Sequence, residues 1–253
     1  MTSKSKALSL LVTCLLVASL FAGTAAAVST DSDDVPDEVE VGTQTEATFE
    51  LTDLYDEFES WTLRGETNLT NVTWTVIQID QTGSQVSQQS YDGGEFTEEI
   101  DAADGTNRVE VRVTGTAPEI AEFRYDPPER FTFANFTLER GGGTERAIDS
   151  YAVHHYTDES KEARESLDEA HEAVERSGDS DAQSSFDSAV SAYQAADFDN
   201  AITLAERAEG EASQAETTRT LLLYGGLGVV AIAIIVGGVY VYRSRKKPPS
   251  RLR

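Results

Sequence analysis

The chain has 253 residues, with 45 acidic and 20 basic side chains, and its formal net charge is −25 at pH 7. This charge argues against nucleic-acid binding, because phosphate recognition requires basic patches. The only cysteine is Cys14, which lies in an N-terminal apolar run ahead of the expected cleavage site. The mature chain is therefore expected to hold no disulfide, no thiol nucleophile and no cysteine-based zinc site.

The negative charge is concentrated in residues 28–220, which hold all 45 acidic residues and 12 basic ones, a net charge of −33. Lys161 is the only lysine in this stretch. Self-repulsion destabilises such a chain in dilute salt, whereas molar salt shortens the Debye length to ~3 Å. An acidic, lysine-poor composition is therefore what we expect of an extreme halophile, in particular an archaeon. Binding of calcium or of a cationic partner is the alternative explanation.

The N-terminus has the three parts of a secretory signal peptide. Lys4 and Lys6 form a positive region, residues 7–18 are mostly apolar, and residues 25–27 supply small side chains of the A-x-A type. We expect cleavage after residue 27, and an uncleaved N-terminal anchor is the alternative. Residues 28–37 then form an acidic segment that is predicted to be a disordered spacer.

Residues 38–140 have the alternating pattern of strands that bury one face. Apolar residues alternate with polar ones in runs such as Ala47–Leu51 and Val109–Val113, and turn-forming residues separate the runs. We therefore predict an antiparallel β-sandwich over this range, in an α+β multidomain chain. The predicted core comprises Phe49, Leu51, Trp61, Leu63, Trp74, Val76, Phe96, Ile100, Val109, Val111, Val113, Phe131 and Phe133.

Residues 91–115 read YDGGEFTEEIDAADGTNRVEVRVTG. Phe96 and Ile100 precede a turn at residues 104–107, and three alternating valines follow the turn. This pattern resembles the second half of bacterial and archaeal immunoglobulin-like surface domains, and a looser likeness extends back to residue 74. The resemblance implies an immunoglobulin-like sandwich. Such domains serve as spacers, adhesins or carbohydrate-binding accessories, so the resemblance does not specify a function.

The pattern changes after three glycines at residues 141–143, and we predict that residues 141–156 form a linker. From residue 157 to 216 the apolar period is helical. Residues 163, 167, 170 and 174 are apolar and predict a first helix that begins after Thr157 or Asp158 and ends near Gly178. Second and third helices are predicted at about residues 181–196 and 199–214.

The second and third predicted helices carry Phe186 and Tyr193, followed by alanines at 201, 205 and 208. This spacing over residues 181–214 resembles a tetratricopeptide-type helical hairpin. One such unit falls short of the three or so repeats that a stable solenoid requires. We therefore predict a small stalk of three helices over residues 157–216. Its alanine-rich faces either pack closely on each other or require a partner.

The most apolar stretch is Leu221–Tyr242, which contains no charged residue. At ~1.5 Å per residue a helix of this length spans a hydrocarbon core, so we predict a C-terminal transmembrane helix. The basic tail, residues 243–253, predicts a cytoplasmic C-terminus and an extracellular ectodomain, as in a single-pass type I protein of the cell membrane. Ala233 and Gly237 form a small-x3-small pair that predicts close packing of helices.

The motifs of common hydrolases, G-x-S-x-G, S-x-x-K and H-E-x-x-H, do not occur in residues 28–220. We therefore predict a non-enzymatic protein with no catalytic residue, no cofactor and no metal site. Two weaker alternatives are a metal held by His171 with Asp168 or Glu175, and a calcium ion at the acidic turn of residues 101–104.

Three N-x-[ST] sequons begin at Asn68, Asn71 and Asn135. In a secreted domain such asparagines are candidate acceptors of N-linked glycans. We expect at least one of them to carry a glycan.

These features favour a non-enzymatic cell-surface protein that displays an immunoglobulin-like domain for adhesion or contact with the cell envelope. Its expected partners are an envelope glycan or a surface layer. The alternative is an accessory subunit of a membrane complex, bound to a protein partner through the helical stalk or the transmembrane helix. An extracytoplasmic enzyme is the third hypothesis.

Overall fold

The computed structural model describes residues 28–32, 34–141 and 143–245, and for residues 221–233 and 243–245 it describes the backbone alone. The predicted signal peptide and most of the basic tail lie outside the described residues. The chain forms two compact units. The β unit comprises residues up to Glu119 and Arg130–His155, and the helical unit comprises Ile120–Glu129 and the residues from Tyr156 onward.

The β unit contains two five-stranded sheets, in the orders β1-β3-β8-β5-β6 and β2-β10-β9-β4-β7. We call them the first and the second sheet. A single 3₁₀ turn at Ala102–Asp104 joins β7 to β8. The strands are β1 Ser29–Asp31, β2 Glu38–Glu40, β3 Gln44–Thr52, β4 Ser60–Glu66, β5 Thr70–Asp80, β6 Gln85–Asp92, β7 Glu95–Asp101, β8 Thr106–Thr116, β9 Arg130–Arg140 and β10 Thr144–Tyr156.

The alternating pattern buries one face of each sheet, and both faces contribute to a single apolar core. All thirteen core residues predicted from the sequence are buried. Aromatic rings meet across the two sheets, with centroids 5.0 Å apart for Phe49 and Phe136 and also for Trp74 and Phe96. Gly65 in β4 faces this core, and a Cβ atom there would overlap the ring of Phe96.

Two segments of the β unit differ from the sequence prediction. Within the predicted spacer, Ser29–Asp31 forms β1 and pairs with the end of β3. The predicted linker contains β10, which pairs with β9 through the turn before Thr144. Both strands lie next to a strand of the predicted core and bury few apolar side chains of their own. The local pattern therefore carried little strand signal.

The helical unit contains three α-helices within its described residues, α1 Asp158–Ser177, α2 Ser180–Gln194 and α3 Phe198–Arg245. Thr157 caps α1: its hydroxyl accepts the Ser160 N–H at 3.2 Å, and its own N–H donates to the Ser160 hydroxyl at 2.9 Å. Gly178 ends α1 in the left-handed conformation, with φ of 64°. Asp179 then caps α2 by accepting two backbone N–H groups.

Alanine dominates the contacts among these helices. Leu167, Phe186 and Tyr193 supply the large buried side chains. Small side chains allow the helices to approach closely, so the faces that looked thin in the sequence pack against each other. The buried alanines are Ala163, Ala170, Ala173, Ala182, Ala189, Ala192, Ala201, Ala205, Ala208 and Ala212.

The predicted fold class is wrong in its C-terminal transmembrane helix. Residues 221–242 do not form a separate element, because α3 runs without a break from Phe198 to Arg245. No helix in the described part of the chain is both long and apolar enough to cross a membrane. Ala233 of the predicted packing pair lies among the residues whose side chains are not described, and Gly237 is exposed.

Candidate functional site

The outward face of the second sheet carries a polar groove of about 540 Å³. We call it the polar groove. Strands β4, β7, β9 and β10 supply most of its walls, and the turns before β5 and β7 supply the rest. Its lining residues are Glu66, Thr67, Asn68, Gly94, Glu95, Thr132, Asn135 and Ser150.

Strand register places four of these residues in one row across the sheet. Glu66 in β4 lies opposite Glu95 in β7 on one side and opposite Asn135 in β9 on the other. Asn135 in turn lies opposite Ser150 in β10. Because side chains in one such row point to the same face, two carboxylates, an amide and a hydroxyl line up at the spacing of neighbouring strands.

The turn after β4 is bonded to β9 through Thr67 and Asn68. The Asn68 N–H donates to the Thr132 carbonyl at 2.8 Å, and the Asn68 Oδ1 accepts the Thr132 N–H at 3.0 Å. The Thr67 hydroxyl donates to the Phe133 carbonyl at 2.7 Å. The wall of the groove is therefore held by backbone as well as side-chain hydrogen bonds, which gives it a defined shape.

Arg64 lies in β4 two residues before Glu66, and it binds three carboxylates. Its guanidinium lies 2.7 Å from Glu66, 3.2 Å from Glu95 and 3.2 Å from Glu139. The hydrogen bond to Glu139, followed by the charge of Glu66, raises the pKa of Arg64. Asn135 adds an Nδ2 donor to Glu66 Oε2 at 3.3 Å. This group of four charges is net negative, and its members fix one another in place.

The groove offers hydrogen bonds rather than apolar contact. Its lining contains amide, hydroxyl and carboxylate groups, and no aromatic or large aliphatic side chain. No group of three or more His, Cys, Asp and Glu side chains in the described ranges is arranged to hold a metal ion. The arrangement is suited to binding a ligand rich in hydroxyl groups.

A second cleft, of about 770 Å³, lies in the helical unit beside the N-terminus of α2. Its acidic groups are already engaged. Asp179 caps α2, and Glu211 accepts the Ser185 hydroxyl at 2.7 Å and the Arg207 guanidinium at 2.8 Å. The bond from Ser185, followed by that from Arg207, lowers the pKa of Glu211. These bonds stabilise the helices, and we therefore assign no binding function to this cleft.

His155 and His171 each contact neighbouring residues of their own unit. His155 is buried, its Nδ1 lies 3.1 Å from the Pro118 carbonyl, and its ring centroid lies 5.1 Å from that of Phe131. His171 Nε2 lies 3.5 Å from Glu175, as the helical spacing suggested. Asp168, the other expected neighbour, instead accepts the hydroxyl of Tyr125 at 2.8 Å.

A buried polar network links strands of both sheets around Glu98. The Gln78 amide donates to Glu98 at 2.9 Å and accepts the Thr106 hydroxyl at 2.7 Å. Tyr91 donates its hydroxyl to the same carboxylate. Burial, followed by the bond to Glu98, raises the pKa of Tyr91 to about 12. Since all these groups satisfy one another, we assign the network to the core and not to a site.

Residues 120–129 lie between β8 and β9 in the chain but belong to the helical unit, which the sequence pattern did not indicate. The ring centroid of Phe123 is 6.0 Å from that of Tyr193 and 4.9 Å from that of Phe198. The Arg164 guanidinium donates to the Tyr125 carbonyl at 2.7 Å. Two aromatic residues beside the Asp126-Pro127-Pro128 turn were the available signal, but nothing in the pattern indicated their partners.

The three sequons fall into two groups. Asn68 and Asn135 both line the polar groove, although 67 positions separate them in the chain. Asn71 is exposed near the start of β5 and does not line it. The three sequons cannot be distinguished by their sequence pattern. Two of them come together only because β4 pairs with β9.

No protein-family model matches the chain, and no curated protein matches it either. Partial likenesses exist among solved structures. The sporulation control protein Spo0M of Bacillus subtilis is 12% identical, with 60% of this chain and 56% of that chain covered and a TM-score of 0.31. The SrpA adhesin of Streptococcus sanguinis is 17% identical, with 54% and 62% covered and a TM-score of 0.29.

A third structure, a conjugative transposon lipoprotein of Bacteroides eggerthii, is 12% identical, with 50% of this chain and 95% of that chain covered and a TM-score of 0.27. The chain thus spans little more than half the length of Spo0M. At these scores the matches identify neither a family nor a function, and the immunoglobulin-like and tetratricopeptide-like resemblances stay predictions.

Proposed function

We propose that this chain is a non-enzymatic cell-surface protein that binds a polysaccharide of the cell envelope in its polar groove. The observation that carries the proposal is the row of Glu66, Glu95, Asn135 and Ser150 across four strands. Sugar hydroxyls both donate and accept hydrogen bonds. The row presents carboxylate acceptors next to an amide and a hydroxyl that can do either.

The groove is already ordered before a ligand arrives. Most of its side chains lie on strands, and the ion pairs of Arg64 and the bonds of Asn68 to Thr132 restrict their movement. A ligand would therefore lose less binding free energy to the ordering of the protein than at a mobile loop.

The same ion pairs favour binding over catalysis. A glycosidase requires one carboxyl group held protonated as the general acid, opposite a second carboxylate. Glu66 and Glu95 instead both contact one cation, Arg64. Two carboxylates that share a cation are suited to accept hydrogen bonds from a ligand.

An extracellular location is part of the proposal. The three sequons and the N-terminal sequence pattern support it, as does the excess of acid in residues 28–220, which suits contact with a medium of high salt. The envelope polymer or surface layer expected from the sequence then lies within reach of the groove.

The test measures binding of the full-length chain to envelope polysaccharide in molar salt, by calorimetry. Asn135→Thr keeps a strand-forming residue but removes the amide, and we expect affinity to fall about tenfold. Gln89→Thr is the matched control, because Gln89 is an exposed amide on β6 of the first sheet. Equal affinities for the two variants, or no binding by the unaltered chain, would exclude the groove as the site.

A second candidate function, an accessory subunit bound through the helical unit, has one specific observation in its favour. Apolar side chains near the end of α3 are exposed, including Ile234 at 69% and Tyr240 at 75%. Contiguous exposed apolar surface is typical of protein interfaces. Crosslinking of the full-length protein in its own cells tests this. A stoichiometric protein partner crosslinked to residues 234–242 would support the accessory-subunit function. The absence of any such partner would exclude this function.

A further inference from the structure

The three sequons differ in what the structure does with their amide groups. An N-linked glycan is attached to the asparagine Nδ2, so an acceptor must present this atom to the transferase. The Asn135 Nδ2 donates to Glu66, and the Asn68 side chain, although exposed, is fixed on the wall of the polar groove through its Oδ1. Asn71 is exposed outside the groove. This contrast distinguishes one acceptor from two asparagines that serve the sheet.

Asn135 and Asn68 are poor acceptors for structural reasons. Asn135 is half-buried in β9, which is paired on both sides, and its Nδ2 donates to Glu66. The Asn68 Oδ1 accepts the Thr132 N–H at 3.0 Å, which fixes the side chain against β9 at the wall of the groove. A glycan on either residue would fill the groove, and on Asn135 it would also displace the Nδ2 donor from Glu66.

Asn71 has the opposite properties. It lies between Thr70 and Thr73, where the pairing of β5 with β8 is interrupted, and its φ is 51°. Its side chain is exposed and makes no hydrogen bond within the described part of the chain. Asparagine tolerates this left-handed conformation better than most residues. The interruption thus leaves an unbonded amide exposed to solvent. Thr73, the hydroxyl residue of this sequon, is also exposed, and its hydroxyl donates to Asp92 at 3.1 Å at the surface.

We propose that Asn71 is the N-glycosylated residue of this chain and that Asn68 and Asn135 are unmodified. The donor is a glycan carried on a lipid phosphate or pyrophosphate. The Asn71 Nδ2 forms a bond to the anomeric carbon, and the bond from that carbon to the phosphate oxygen breaks. The electron pair leaves with the lipid phosphate, and one amide proton passes to a base of the transferase. This inference does not depend on the proposed function, since Asn71 lies outside the groove.

The first measurement is site-resolved mass spectrometry of the full-length protein isolated from its own cells. No lysine or arginine lies between Arg64 and Arg108, so a tryptic digest leaves Asn68 and Asn71 on one peptide. Fragmentation that preserves glycans must therefore assign the residue. We expect a glycan mass on Asn71 alone. A glycan on Asn68 or Asn135, or an unmodified Asn71, would overturn the proposal.

Three matched variants remove one sequon each without altering an asparagine, namely Thr73→Val, Thr70→Val and Thr137→Val. Each changes a threonine on a strand to a β-branched residue of similar shape. Thr73→Val should abolish the glycan, whereas Thr70→Val and Thr137→Val should leave it complete. Thr73→Ser keeps a hydroxyl at the sequon position and should therefore keep the glycan. Retention of the glycan in Thr73→Val would contradict the assignment.

Discussion

The cores of the two units are formed by different kinds of side chain. The β unit fills its core with large residues such as Trp74, Phe49 and Phe136, which come from both sheets. The helical unit brings its helices together on alanine and takes two aromatic rings, Phe123 and Tyr125, from a segment remote in sequence. The buried residues of the β unit thus lie within its strands, whereas part of the helical core comes from a segment distant in the chain.

The comparison shows that the two cores depend on sequence in different ways. In the β unit the buried residues lie in the strands themselves, so the local period identifies them. In the helical unit the residues at 120–129 have no helical period and still contribute rings to its core. We therefore expect the strongest effects from substitutions inside the strands, and measurable effects from a loop that looks dispensable.

The largest expected effect is in the β core. Trp74→Ala removes a fully buried indole and the hydrogen bond from its Nε1 to the Gly93 carbonyl. We expect the free energy of unfolding of the β unit to fall by about 3–5 kcal/mol. Hydrogen exchange of peptides from β5 and β8 measures this. Val86→Ala, at an exposed position of β6, is the control, and an equal loss in both variants would refute this account of the core.

The next effect concerns space in the same core. Gly65→Ala places a methyl group against the Phe96 ring, and we expect a loss of about 1–3 kcal/mol in urea unfolding. Adding Phe96→Leu should recover part of this loss, because the smaller side chain leaves room for the methyl group. Gly141→Ala meets no atom within 4 Å and should be neutral. Strict additivity of the Gly65 and Phe96 substitutions would rule out the predicted clash.

Phe123→Ala tests whether the loop of residues 120–129 stabilises the helical unit. Phe123 is half-buried and contacts Tyr193 and Phe198, so we expect a loss of about 1–2 kcal/mol. Exchange rates of peptides from α2 report it. Glu122→Ala, next to it and exposed, should change nothing. If the two variants behave alike, the segment does not stabilise the helices.

The smallest effect is on the alkaline side of the stability profile. Burial, followed by the charge of Glu129, raises the pKa of Tyr193 to about 12. The neutral phenol therefore contributes stability that is fully present below pH 10, the ordinary pKa of tyrosine, and is lost as the pH rises toward 12. At pH 11 we expect this loss to reach about 1 kcal/mol.

Tyr193→Phe should remove the ionisable phenol and with it this loss of stability between pH 10 and 12, with little change at neutral pH. The hydroxyl lies 3.5 Å from Glu129, so its removal sacrifices only a weak hydrogen bond. Unfolding of the two proteins in urea at a series of alkaline pH values provides the measurement. Parallel profiles would show that Tyr193 does not titrate as its burial implies.

The features that follow from the local hydrophobic period could be predicted from the amino-acid sequence. It predicted the thirteen residues of the β core, a cap of α1 at Thr157 or Asp158, and the end of that helix near Gly178. The structure shows Thr157 as the cap. The sequence prediction was wrong about the separate helix at residues 221–242. An apolar run records composition alone, and whether a helix begins there depends on the residues before it, which here continue α3 without interruption.

Only the tertiary structure decided which polar residues share a site. Glu66 and Asn135 stand side by side because β4 pairs with β9, and Phe123 reaches Tyr193 because residues 120–129 fold with the helices. It also separated Asn71 from the two asparagines that line the polar groove. Contacts between positions far apart in the chain follow from strand pairing and helix packing. Hydrophobic period shows which face of an element is buried, but it does not say which element lies against that face.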